Sequence, residues 1–179
     1  MKIFWPAILI SSLVLGYGGY QYGLYQIPFQ AMSKAEQRLS ERAGGYNQML
    51  HPPRPTSKAR TIVRPSPDQL YSACVYDLSH GPIEVSGTAP LDSYWSLSFF
   101  AHNTDNFFVI NDRDLKQKQF GLILAEQDQS VPAKYANKQV VRSPSETGII
   151  VQRVFIDKEI RAEELDQQRK TARCKPLES

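Results

Sequence analysis

Leu70-Tyr71-Ser72-Ala73-Cys74-Val75-Tyr76-Asp77-Leu78 is a run rich in apolar and aromatic residues, closed by the turn-forming Ser79-His80-Gly81-Pro82. Its length, its aromatic content and its Gly/Pro boundary identify a β-strand, and apolar residues on both faces at Val75-Tyr76 suit a central position. Six more runs of the same kind follow: Pro82–Ser86, Tyr94–Ala101, Phe107–Ile110, Gly121–Ala125, Lys138–Arg142 and Gly148–Ile156. Polar turns separate them, at Gly87-Thr88-Ala89-Pro90, His102–Asn106, Asn111-Asp112-Arg113-Asp114 and Pro144–Gly148. Strands at this spacing predict a mainly β domain, a sandwich or barrel-like fold, over residues 66–179. Near its end Ala162–Ala172 reads as a helix with a thin apolar stripe of Ala162, Leu165 and Ala172.

Outward from this domain, 179 residues leave room for one domain and its appendages. A hydrophobic fraction of 41% and a charged fraction of 22% exclude wholesale disorder and a polytopic membrane protein. The net charge of +3 gives no argument for nucleic acid as a partner.

The amino-terminal segment differs from everything after it. Ile3 to Tyr25 carries no charge, with Gln21 its one strongly polar side chain. As a helix this stretch reaches about 34 Å, against about 30 Å for a bilayer core. Trp5 stands near one end and Tyr17, Tyr20, Tyr22 and Tyr25 near the other, as two membrane interfaces favour. The expectation is a transmembrane anchor over 1–28. A cleaved signal peptide competes, with Lys2 as its basic start and Ile3–Leu15 as its apolar core. Either reading exports the rest of the chain, which points to a bacterial inner-membrane protein, single-pass, with its carboxy-terminal domain in the periplasm.

Residues 29–65 read as a helical extension and a tether. Ala31, Met32, Ala35, Glu36 and Leu39 suit a helix that Gly44-Gly45 ends. Pro52, Pro53, Pro55, Pro65 and Pro67 then predict an extended, semi-rigid segment. Arg54, Lys58, Arg60 and Arg64 make it basic, suited to lipid head groups or an acidic partner face, or simply to a solvated spacer.

Cys74 and Cys174 are the two cysteines. In an exported chain they most simply form one disulfide. The alternative is a buried thiol at Cys74 and a tail thiol at Cys174.

Signatures of chemistry are missing: the sequence has no Gly-rich phosphate loop, HExxH, CxxC or GxSxG. No catalytic residue, metal ligand or cofactor is assigned. A Ser–His–Asp set can be written from Ser72, His102 and Asp77, but nothing in the sequence brings them together. The unit from Ser93-Tyr94-Trp95-Ser96 to His102-Asn103-Thr104-Asp105-Asn106 combines aromatics with hydrogen-bonding groups. It reads as a shallow ligand or partner surface, or as core plus an Asx turn.

Pro67-Asp68-Gln69-Leu70-Tyr71-Ser72, Tyr76-Asp77-Leu78-Ser79, Tyr94-Trp95-Ser96-Leu97, Asn103-Thr104-Asp105-Asn106-Phe107 and Ile150-Val151-Gln152-Arg153-Val154 together resemble the bacterial "domain of unknown function 1254" family. The resemblance implies a β-rich fold and a companion domain of the "unknown function 1214" type, here as a separate membrane-anchored protein. It transfers no reaction.

The expected function is a membrane-anchored envelope protein whose exported β-domain is a protein-interaction module. The candidate surface is Tyr71, Tyr94, His102, Asn103, Asp105, Asn106 and Arg153, with Arg54, Lys58, Arg60 and Arg64 as basic contacts of the tether. The rival readings are a binding module for a lipid or glycan fragment and, third, a hydrolase.

Overall fold

A computed structural model describes residues 4–56 and 65–177. Lys58, Arg60 and Arg64 of the expected basic tether lie outside the described residues. The chain is mainly β: a long helix α1 (Phe4–Ala43), strands β1 (Met49–Leu50), β2 (Gln69–Asp77), β3 (Ile83–Thr88), β4 (Trp95–Ala101), β5 (Asn106–Asn111), β6 (Gln119–Glu126), β7 (Gln139–Ser143) and β8 (Thr147–Phe155), then a short helix α2 (Ala162–Arg169) and β9 (Arg173–Pro176).

The strands form two separate sheets, so the chain does not close a single barrel. One sheet has the order β1-β2-β8-β4-β5 and the other β7-β6-β3-β9. All pairs of the first are antiparallel, and β6–β7 is the parallel pair of the second. In the first sheet Leu70, Cys74 and Tyr76 of β2, Trp95, Leu97 and Phe99 of β4, and Ile150 and Val154 of β8 share one side. They meet Ile83, Val85, Phe120, Leu122 and Leu124 of the second sheet in one buried cluster. Trp95 and Phe120 touch across the layers, with ring centroids 4.8 Å apart. The two-residue strand period produces this division, because alternate side chains of a strand face opposite ways.

The disulfide Cys74–Cys174 joins β2 of one sheet to β9 of the other, with Cα atoms 6.4 Å apart. Pairing with β3 brings Cys174 there: Val85 lies opposite Cys174 and Ser86 opposite Arg173.

The terminal helix is held more firmly than its apolar stripe predicts. Leu165 and Ala172 are fully buried, and so is Arg169. The Arg169 guanidinium donates to the Tyr71 carbonyl, to Ser72 Oγ and to Asp166.

Helix α1 runs through Pro28 and divides into two halves of different character. In the second half Met32, with Ala35 and Leu39, packs on Val75, Ile149, Phe100 and Val151, on the outer side of the first sheet. In the first half Phe4, Trp5, Ile8, Leu9, Ile10, Leu13, Val14 and Leu15 are all exposed. Where the sequence led us to expect a transmembrane helix over 1–28, a helix does form from Phe4 onward, and among the described residues no helix is long and apolar enough to cross a membrane. The reason lies in Gly16–Gly23, where glycines, tyrosines and Gln21 dilute the apolar run that ends at Leu15.

Candidate functional site

On the outer side of the first sheet, strand register builds a polar row. Tyr71 of β2 lies opposite Arg153 of β8, Arg153 opposite Ser96 of β4, and Ser96 opposite Asn111 of β5. Directly opposed residues share a face, so four strands present these side chains together. The next row is Ala73, Val151, Ser98 and Val109.

Arg153 is half-buried, yet among the described residues it has no carboxylate partner. Its one side-chain hydrogen bond among the described residues is from Nη1 to Ser98 Oγ, at 3.4 Å. Beside it Ser96 is 1% exposed, and its hydroxyl has no partner among the described residues. A cation stripped of part of its water favours an anion, and a carboxylate matches the guanidinium fork. Around the row Tyr94, Val109 and Phe155 are exposed, at 46%, 46% and 39%. Tyr94, Asn111, Asp112 and Arg113 line an open cleft of about 380 Å³ at its end. An arginine ringed by aromatic and aliphatic groups is the usual anatomy of a protein contact centre.

The remaining candidate residues lie elsewhere. His102, Asn103, Asp105 and Asn106 follow the far end of β4, about 20–26 Å from Tyr94 at the usual strand rise. Asn103 and Asp105 satisfy each other: Asn103 Nδ2 donates to Asp105 Oδ2 at 2.6 Å, and the Asp105 N–H to Asn103 Oδ1 at 3.1 Å. Thr104 between them has φ 74°, so the segment is a tight Asx turn. Asn106, its amide oriented by its neighbours, donates to the carbonyls of Phe108 and Phe99. The structure thus groups Tyr71, Tyr94 and Arg153, and separates them from His102–Asn106.

His102 serves helix α1. Its Nδ1 lies 3.0 Å from Oε1 of Glu36, a carboxylate only 5% exposed. Thr147 Oγ1 stands 3.3 Å from the same nitrogen, and the His102 backbone N–H donates to Ser145 Oγ. On the other side Ser33 Oγ is 3.4 Å from Nε2. Hydroxyl, imidazole and carboxylate stand in the order of a nucleophilic triad. The chemistry is nevertheless incomplete, since Ser33 donates to the Phe29 carbonyl at 2.9 Å and sits inside a helix whose N–H groups are already bonded. The contact is a clamp between α1 and the β4–β5 turn, and no sequence pattern announced it.

A second cleft, of about 390 Å³, lies between His51–Arg54 and α2. Its cations are already paired: Arg54 with Glu159 at 2.6 Å, Lys170 with Asp166 at 2.5 Å, and Arg169 with Asp166. His51 Nδ1 meets Ser72 Oγ at 2.9 Å. Burial, followed by the charge of Arg169, holds the imidazole pKa below its ordinary value. Among the described residues no three His, Cys, Asp or Glu side chains gather as a metal site would require.

Comparison with known proteins bears on the fold. A crystal structure of the VPA0106 protein from Vibrio parahaemolyticus superimposes with a TM-score of 0.59 at 18% identity, covering 80% of this chain and 34% of that one. A second, of a putative uncharacterized protein from Burkholderia cenocepacia, gives 0.48 at 18% identity, covering 76% and 37%. The chain therefore spans little more than a third of the length of either. A search of curated proteins found no match. The family model described as "Protein of unknown function (DUF1254)" matches residues 46–176, the whole β-domain with its terminal helix, and the chain belongs to the DUF1254 family.

Proposed function

We propose that the chain is an envelope protein held at the membrane by the first half of α1, and that its β-domain recognises a partner protein over the outer side of its first sheet. The observation that carries this reading is Arg153, half-buried, without a carboxylate partner among the described residues, and ringed by exposed Tyr94, Val109 and Phe155. The partner supplies an acidic side chain to the guanidinium and apolar surface to the ring. Membrane attachment follows from the first half of α1, whose apolar side chains find no cover within the fold. Export to the periplasm of a bacterial cell fits the Cys74–Cys174 disulfide, since such bonds persist in oxidising compartments. The partner we favour is a separate membrane-anchored protein of the "unknown function 1214" type. In the Vibrio relative most of the chain lies outside the matched region, so there a related domain is joined to much further sequence.

The test is photo-crosslinking in living cells, with p-benzoylphenylalanine in place of Tyr94 in the full-length chain. A single protein adduct, lost on Arg153→Glu and retained on Lys116→Glu, supports the reading. Absence of any protein adduct in membranes that contain the folded chain overturns it.

A further inference from the structure

Helix α1 passes Pro28 without a break, so its exposed first half and its docked second half belong to one helix. In the first half Ile8-Leu9-Ile10 and Leu13-Val14-Leu15 are exposed and together cover every helix face. That pattern suits a helix that enters a bilayer rather than one that lies on it. Ser11 and Ser12 between them donate their hydroxyls to the Ala7 and Ile8 carbonyls, both at 2.8 Å, so neither needs water.

The second half is fixed to the domain. Met32 and Ser40 are buried, and between them the Glu36 carboxylate meets His102 Nδ1 at 3.0 Å. The helix leaves the domain at Phe29, whose ring centroid lies 6.0 Å from that of His102 and 5.3 Å from that of Tyr25. His102 opens the β4–β5 turn, and the turn's tip, Thr104-Asp105, is exposed. One turn of helix, about 6 Å, thus separates Tyr25 from the level of this turn. Tyr17, Tyr20, Tyr22 and Tyr25 are all exposed, and rings in such a cluster favour the border of a bilayer. Beyond that border the headgroup layer extends about 5–7 Å.

We infer that α1 holds the β4–β5 turn, Asn103–Asp105, in the lipid headgroup layer and so fixes which end of the domain faces the bilayer. The inference rests on the membrane attachment proposed above and is independent of the partner surface around Arg153. The turn suits that place. It carries no large apolar side chain, and Asn103 and Asp105 bond each other, so it rests among headgroups without entering the hydrocarbon. Arg42, on the same helix, lies about 26 Å beyond Tyr25, and even a 40° tilt leaves it about 20 Å from the border.

The test uses the full-length chain in vesicles of phosphatidylethanolamine and phosphatidylglycerol. The two native cysteines are bonded to each other, so an added cysteine alone takes a fluorophore. Thr104→Cys carries it at the turn, and Arg42→Cys carries it on the far part of α1. Should Thr104→Cys fail to fold, Asp105→Cys takes its place. A lipid with a nitroxide on its headgroup is expected to quench the turn probe about threefold or more above the Arg42 probe, given the difference in height along the helix. A flexible Gly-Ser-Gly-Ser insertion between Tyr25 and Gln26 is expected to abolish that difference. Attachment itself is read from Trp5, quenched by a nitroxide on the acyl chain, since Trp95, the other tryptophan, is fully buried in the domain. Quenched Trp5 with equal quenching of the two probes overturns this inference alone. So does a difference that survives the insertion, because something other than α1 would then hold the turn. A folded chain that neither floats with the vesicles nor shows Trp5 quenching overturns the membrane attachment and this inference with it.

Discussion

Cys74 and Cys174 join strands that share no backbone hydrogen bond, one from each sheet, across a sequence separation of 100 residues. The bond is therefore a covalent tie between the layers. Closing a loop of that length restricts the unfolded chain, and losing such a native disulfide costs about 2–5 kcal/mol. Cys74→Ala with Cys174→Ala is expected to lower urea stability by that amount, and reducing agent is expected to do the same to the wild type. An unchanged midpoint under both treatments would contradict the role assigned to it.

Gly148 lies opposite Tyr76 on one side and Ala101 on the other. A Cβ there would stand 2.2 Å from the Phe100 carbonyl oxygen and 2.4 Å from the Tyr76 hydroxyl. That hydroxyl is buried among bonds to Phe100 O and Ser143 Oγ, so it has nowhere to move. Gly148→Ala is expected to destabilise by about 2 kcal/mol or more. Gly121→Ala, where the nearest atoms are 4.0 Å away, serves as the tolerated comparison. Equal denaturation midpoints for the two variants would refute the steric account.

Arg169 is fully buried under α2 and satisfies the Tyr71 carbonyl and Ser72 as well as Asp166. Removing one partner of a buried charged pair costs about 3–5 kcal/mol. Arg169→Met is expected to fall in this range, read by denaturant unfolding. Lysine cannot reproduce the forked donors, so Arg169→Lys recovers little of the loss. Full recovery by lysine would show that charge alone matters.

His51 gives the domain a pH dependence of definite sign. Burial, then the positive charges of Arg169 and Arg173, lower its pKa from the ordinary 6.5, while the Ala172 carbonyl opposes them. The unfolded chain then binds a proton more readily than the folded one, so stability falls as pH drops below about 6.5 and on through the folded pKa. His51→Gln is expected to flatten the difference in unfolding free energy between pH 7 and pH 5. A variant with the same slope as wild type would assign that slope to other groups.

Much of the architecture was legible in the chain. The seven apolar runs are seven of the strands, because alternation and turn residues record a strand that buries its own side chains. β9 was not legible: Arg173-Cys174-Lys175-Pro176 has no apolar alternation and is extended only because β3 pairs with it. Arg169 hid the docking of α2, since an arginine in a polar helix reads as surface until its burial is seen. The candidate site was half legible. Tyr71, Tyr94 and Arg153 share one region through strand register, which no local pattern encodes, and the same register sends His102–Asn106 to the opposite end of β4. Glu36 as the partner of His102, 66 residues away, lay beyond any motif.

The order β1-β2-β8-β4-β5 also dictates when this sheet can exist. Thr147–Phe155 forms the strand between β2 and β4, so a chain emerging amino-terminus first must hold both apart until almost the whole domain has appeared. During that interval two apolar strands, Gln69–Asp77 and Trp95–Ala101, lack the neighbour that will cover their inner edges. Such exposed strands aggregate readily and long-range pairings form slowly. Biogenesis of this protein thus contains a vulnerable interval set by topology alone, during which a chaperone that holds extended segments would decide the yield.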